Sequence, residues 1–361
     1  MDLTGFVIFT IVLTYLGVLI YLANQIEAAR THQPEPQNPL RPEQLPSVMQ
    51  DRQPMILRWL LYGVLAMTFS VGLVVFQTSM MTGMAENLGE QLPADVPIPE
   101  INMVSALVIF GLAIAASVIS FQIINSIAFR QRIQRLIGPR WTFDADSVVH
   151  LTAAVLMLSM IVWILASFVL QGGIDGTAEN IAAQGINIGD ILFQGVLLIV
   201  VAMLGVGMGI RRSLSDTAQR LGLRVPVAED ITWGVGFGVL FLGMLIIMGL
   251  IWAAITPPEV FEEQTAASQQ LALAFSVLPL ALLLSATAAI SEEILIRGAM
   301  QPVFGILGSS LFFVVLHTQY TLTPATLIIF IVSLGLGWLR QRQSTNAAII
   351  AHFVFNILQF V

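Results

Sequence analysis

Apolar runs of about 20 residues recur along almost the whole chain, and in a bilayer a run of that length is a transmembrane helix. They lie near residues 5–23, 55–78, 101–124, 149–170, 190–210, 232–254 and 271–296, with three tighter ones near 309–322, 324–339 and 345–361. The expected fold is therefore all-α, a polytopic transmembrane helix bundle of about ten spans. Composition agrees with this: 57% of the 361 residues are hydrophobic and only 10% are charged, against roughly 25% charged in a soluble domain.

The loops between the runs alternate in charge. Segment 24–54 holds Arg30, Arg41 and Arg52, segment 125–148 holds Arg130, Arg132, Arg135 and Arg140, and segment 211–231 holds Arg211, Arg212, Arg220 and Arg224. Loops 79–100, 171–189 and 255–270 carry no Arg but do carry acids such as Glu86, Asp175 and Glu262. The positive-inside rule places the Arg-bearing loops in the cytoplasm. Arg340 and Arg342 continue the alternation if 297–323 makes one further inward and outward pass, and both termini then face outward. The net charge of −7 sums over both sides and decides little. All fifteen basic residues are Arg, and there is no cysteine. Disulfides, thiolate metal sites, a cysteine nucleophile and cysteine lipidation are therefore excluded. The first run follows no basic segment, so it is expected to be a retained span rather than a cleaved signal.

Against this apolar background, three short polar series stand out: Ser291-Glu292-Glu293 with Arg297-Gly298, Phe313 with His317, and His352 with Asn356. Ionisable groups inside a membrane are costly and mark function by default. Residues four apart share a helix face while adjacent ones diverge by about 100°. Arg297 is thus the natural counter-ion of Glu293, whereas Glu292 points elsewhere and is suited to take a proton from water. If Arg297 marks the interface, Glu292 lies roughly 8 Å below it, and His352, counted from a cap at Thr345, lies roughly 10 Å deep. His317 reaches the same level only if 298–308, with Pro302, Gly305 and Gly308, runs along the interface and a helix starts at Ser309 or Ser310. With a start at Pro302 it would lie about 22 Å in, near the opposite face.

The three series together resemble the CPBP intramembrane proteases, also called the Abi family, which include the CAAX prenyl endopeptidases. The resemblance covers roughly 270–361, in the right order, with Ile296 standing where the family often has Phe. It implies an endopeptidase acting on membrane-associated or prenylated-type peptides. Glu292 and His317 would activate water, His352 and Asn356 would donate to the oxyanion, and Glu293 and Arg297 would hold the helix and tune the site. It also divides the chain into a protease domain, 232–361, and an N-terminal scaffold of about five spans, 1–231. The family has been described both as metal- and as glutamate-dependent. A divalent metal such as zinc would fall to Glu292, His317 and His352, although the His-Glu-x-x-His pattern is absent. The expected partners are the lipid bilayer and a peptide or membrane-protein substrate, with no nucleic acid. The expected location is a bacterial plasma membrane, with the site open to the cytoplasm. Two other classes compete: a non-catalytic immunity or assembly protein of the same fold, and a secondary transporter, against which the ion-poor first half of the chain speaks.

Other features read as structural. His32 and His150 are expected to be solvated or interfacial, Met80, Met81 and Met84 to be interfacial contact, and Phe313 to be a packing wall beside His317. The series Gly234, Gly236, Gly238 and Gly243 suggests close helix packing. Loop 33–54, with Pro34, Pro36, Pro39, Pro42 and Pro46, reads as extended, and 211–231 as opening with a short interfacial helix.

Overall fold

A computed structural model of the chain describes residues 3–31, 55–88, 101–173, 176, 179, 183, 187–274, 277–318 and 323–360. The Pro-rich loop and His32 lie outside them. Among the described residues, eight helices are long and apolar enough to cross a membrane. The chain is all-α, as the apolar runs require. In order the helices are α1 (Leu3–Thr31), α2 (Met55–Leu88), α3 (Met103–Asn125), α4 (Ile127–Ile137), α5 (Val148–Leu170), α6 (Ile188–Gly205), α7 (Leu214–Arg220), α8 (Ala228–Ile255) and α9 (Pro258–Ala274). There follow α10 (Leu278–Glu293), a π-helical turn (Ile294–Met300), α11 (Gln301–Leu316), α12 (Pro324–Arg342) and α13 (Thr345–Ile357).

Hydrogen bonds tie the Arg-bearing ends of the spans to one another. Arg30 NH1 donates to Asp146 O (2.6 Å), Asn24 Nδ2 to Leu204 O (3.1 Å), and Thr345 Oγ1 to Leu221 O (2.6 Å). These bonds join the end of α1 to the segment before α5 and to the end of α6, and the start of α13 to the end of α7. Two expectations for the loops need correction. Segment 125–148 is not a plain loop: α4 starts at Ser126, whose hydroxyl accepts from Phe129 N (3.2 Å), and stops at Gly138, where φ is 90°. Its Arg130 is buried and donates to Ala145 O (2.6 Å) and to Ile123 O (2.7 Å), a carbonyl left open by the end of α3. Segment 255–270 is helical as well, as α9; a polar sequence with few breakers can form a helix without the apolar signature of a span. The short helix expected in 211–231 is α7, capped reciprocally by Ser213 and Asp216.

In the last third, α8 lies along α13. A Cβ at Gly234 would sit 2.6 Å from Ile350, and one at Gly238 would sit 2.6 Å from Val354, so these two glycines allow the close approach. Gly236 and Gly243 would meet nothing within 4 Å and belong to the other face. Phe241, Ile328, Leu336, Leu339, Ala347 and Ala351 form the core between α8, α12 and α13. The start of α8 is tied to the start of α13 through Asp230, which is fully buried and accepts from Arg224 NH2 (2.8 Å) and Ser344 Oγ (2.7 Å).

The long helical stretch 278–316 is broken at Gly305 (φ 77°, ψ 173°). Only glycine tolerates that backbone readily. The elbow is held by the segment after α4: Thr142 N and Oγ1 both donate to Pro302 O (2.7 and 3.0 Å), and Trp141 lies where a Cβ on Gly305 would be, 3.1 Å from its Nε1. The expectation that 298–308 is no ordinary start of a span holds. The break falls at Gly305, not at Ser309 or Ser310: Ser309 is already inside the second arm and bonds back to Gly305 O (2.8 Å). With the elbow counted, Leu278–Leu316 supplies two arms, and the shorter Thr345–Ile357 completes the succession of runs.

Candidate active site

Glu292 and Glu293 end α10, the π turn carries Arg297, α11 ends at His317, and α13 carries His352 and Asn356. A straight helix would separate Glu292 from His317 by about 37 Å over 25 residues; instead His317 Nε2 lies 3.9 Å from Glu292 Oε2. The fold back at Gly305 makes this proximity. Glu293 and Arg297 are both fully buried, with Arg297 Nε 2.9 Å from Glu293 Oε2, as their four-residue spacing demands. The second oxygen, Glu293 Oε1, faces His352 Nδ1 at 3.0 Å. The two adjacent acids therefore do separate, but Glu293 serves two partners rather than one.

Tautomers follow from the acceptors. His317 Nδ1 lies 2.9 Å from Phe313 O. A carbonyl can only accept, so this nitrogen carries the hydrogen and Nε2 presents its lone pair to Glu292 when the ring is neutral. Glu293 is ionised against Arg297, so His352 Nδ1 donates to it by the same reasoning. Glu292 Oε2 is buried and has no hydrogen-bond partner among the described residues. Two acceptors, Glu292 Oε2 and His317 Nε2, thus face one another with no donor between them. His317 is not within a helix as expected but is the residue that ends α11, with φ −100° and ψ 58°. Similarly the cap of α13 is Ser344, which accepts from Ala347 N (3.1 Å), while Thr345 turns to Leu221.

Phe313 is more central than a side wall. Its buried ring lies under the Arg297 guanidinium at 5.3 Å and has the His317 and His352 rings at 4.5 and 5.9 Å. It separates the two imidazoles while packing on both. Asn356 lies one turn beyond His352 on the same face of α13. It is half-buried, and its side chain makes no hydrogen bond to a described residue. His150, a candidate for a solvated or interfacial residue, lies apart from this group and accepts Asp144 N at Nδ1 (2.9 Å).

Three residues of this neighbourhood are invisible to the motif reading. Ser333 of α12 accepts Arg297 NH2 at 2.8 Å; a lone buried hydroxyl in the apolar run 324–339 was the available signal. Arg340 Nε donates to Arg297 O (3.2 Å) and Arg220 NH1 to Gly298 O (3.0 Å). A π turn shifts the backbone bonding register, and these two carbonyls each take a bond from an arginine.

Among the described residues, no three His, Cys, Asp or Glu side chains gather as a metal-binding set. Glu292, His317 and His352 are no such set, and His352 directs its Nδ1 to Glu293.

Residues 274–358 match the family model of type II CAAX prenyl endopeptidase Rce1-like proteins. The resemblance read from the three polar series holds over that segment, which contains all of them and is similar to CAAX-type proteases embedded in membranes. No curated protein and no solved structure matches the chain.

Proposed function

We propose that the protein is an intramembrane endopeptidase that hydrolyses peptide bonds of membrane-associated or prenylated-type peptides, using Glu292, His317, His352 and Asn356. The observation that carries this is the facing pair of acceptors, Glu292 Oε2 and His317 Nε2, 3.9 Å apart. That gap is too long for a direct hydrogen bond. One water has two O–H groups and can satisfy both acceptors at once, which orients its lone pairs outward for attack. Direct ion pairing of the two would call for a shorter contact.

In this reading the water oxygen attacks the scissile carbonyl, and Glu292 with His317 takes the proton it loses. The carbonyl oxygen becomes an oxyanion. His352 Nε2–H and the Asn356 amide donate to it, a contribution often worth about 3–4 kcal/mol per donor. His352 can do so only when both ring nitrogens carry hydrogen, because Nδ1–H is already spent on Glu293. The charges then balance: Glu292 and Glu293 against Arg297 and a protonated His352, with His317 neutral. As the C–N bond breaks, the proton held at Glu292 and His317 passes to the leaving nitrogen, giving a carboxylic acid and an amine, and the acid then loses its proton to solvent. The active site opens toward the cytoplasm, because the spans that carry it end on the Arg-rich face.

The test is cleavage of a quenched-fluorescent peptide library by purified protein in lipid vesicles, beside a Glu292→Ala variant. Cleavage by the wild type alone supports the reading. Equal cleavage by both ends it.

A further inference from the structure

Four arginines outside the constellation, Arg211, Arg212, Arg220 and Arg340, gather from three elements beside the π turn. Arg211 Nε donates to Asn24 Oδ1 (2.8 Å), and Arg212 NH1 donates to Val206 O. Arg220 and Arg340 hold Gly298 O and Arg297 O, and Arg340 NH2 also lies against Gly222, 3.3 Å from where a Cβ would be. All four are half-buried, and none forms an ion pair with a carboxylate among the described residues. Two acids act on the cluster through space while bonded to other groups: Glu27, which accepts from Val148 N, on Arg211, and Asp216, which closes the cap of α7 on Ser213, on Arg212; Asp230 takes Arg224. Burial, together with Arg212, Arg340 and Arg211, lowers the pKa of Arg220 to about 10. The guanidinium stays charged at neutral pH within a field that a bound anion would relieve. Each guanidinium has five N–H donors, and the bonds named here engage only a few of them.

We propose that this cluster binds the phosphate of an anionic glycerophospholipid. Planar N–H forks match phosphate oxygens. The position selects a lipid, because the arginines sit where α6 and α12 end, at the level of the headgroups, and basic pockets there capture anionic lipids. Leu214 and Val225, 65% and 85% exposed on the same segment as Arg212 and Arg220, supply apolar contact for acyl chains. Through Arg220 and Arg340 the headgroup would also brace the turn that presents Glu293 and Arg297. That consequence rests on the protease reading, whereas the binding does not.

The protein in neutral detergent is titrated with phosphatidylglycerol, phosphatidylcholine or inorganic phosphate, following the unfolding temperature and lipid retention by native mass spectrometry. Phosphatidylglycerol is expected to raise the unfolding temperature and to remain bound; the other two are not. Arg212→Gln should weaken retention about five-fold and Arg212→Gln with Arg220→Gln about 25-fold. Arg132→Gln, on the exposed side of α4, should change nothing. Unchanged retention in Arg212→Gln, or an equal shift with phosphatidylcholine, overturns the proposal. An equal shift with inorganic phosphate overturns the lipid assignment. Should the double variant fail to fold, the single variant and the three titrations of the wild type still decide. Lipid retention is read without substrate, so a failed cleavage assay and a failed binding assay point to different errors.

Discussion

His352 and Glu293 are joined at 3.0 Å between helices that are 59 residues apart in the chain, and the carboxylate they share with Arg297 is fully sealed from solvent. This pair fixes what each acid can do. Glu293 has both oxygens committed, so it cannot also receive a proton from water. Glu292, whose buried oxygen has no partner, is left for that work.

The two acids should therefore fail differently. Glu293→Gln leaves Arg297 uncompensated in a dry site, and breaking a buried pair in this way costs about 3–5 kcal/mol. A large fall in the unfolding temperature is expected, with His352 losing its orientation as well. Glu292→Gln keeps shape and volume and removes only basicity. Its unfolding temperature should match the wild type while cleavage falls about 10²–10⁴-fold. Thermal unfolding and cleavage, measured on the same preparations, separate the roles.

Cleavage should fall toward alkaline pH as His352 loses the Nε2 proton needed for the oxyanion. Asn356→Ala should lower the rate at every pH without moving that limb, because an amide does not titrate. A rate that stays constant as the pH rises would remove His352 from the chemistry.

Much of this arrangement was legible in the sequence because it is local. Span lengths, the alternation of Arg between loops, and the pairing of Glu293 with Arg297 each depend on residues within a helix turn or on one loop at a time. The missed parts are those set between distant elements. The family resemblance implies an oxyanion role for His352, and nothing within α13 discloses that its other nitrogen is held by Glu293. The sequence points to a helix start at Ser309 or Ser310, since both serines make good caps. Gly305 prevails because Trp141 and Thr142, some 160 residues earlier, hold the bend, the first packing on Gly305 and the second donating to Pro302 O. The helices α4 and α9 carry too many polar residues to show as apolar runs.

Ser333 gives a milder test of the same network. Arg297 is fully buried and its NH1 already lacks a partner among the described residues. Ser333→Ala removes the partner of NH2 as well, at about 1–3 kcal/mol. The expected result is a lower unfolding temperature with cleavage per folded molecule reduced less than about ten-fold, because Glu293 still holds Nε. Loss of cleavage without loss of stability would instead make Ser333 part of the chemistry.

The elbow offers the sharpest separation between fold and site. Gly305→Ala asks an L residue to adopt a φ of 77° and sets a methyl 3.1 Å from Trp141 Nε1. A left-handed non-glycine residue costs about 1–3 kcal/mol, and the crowding adds to it. The second arm of the bend ends at His317, so any opening of the elbow is carried along α11 to the imidazole, away from Glu292. Cleavage should therefore fall more steeply than stability, and it should fall through kcat. Adding Trp141→Ala removes the crowding but not the backbone strain, so the double variant should recover part of the activity and stay below the wild type. If Gly305→Ala cleaved at the wild-type rate, His317 would not depend on this bend for its place beside Glu292, and the geometry assigned to the water would be wrong.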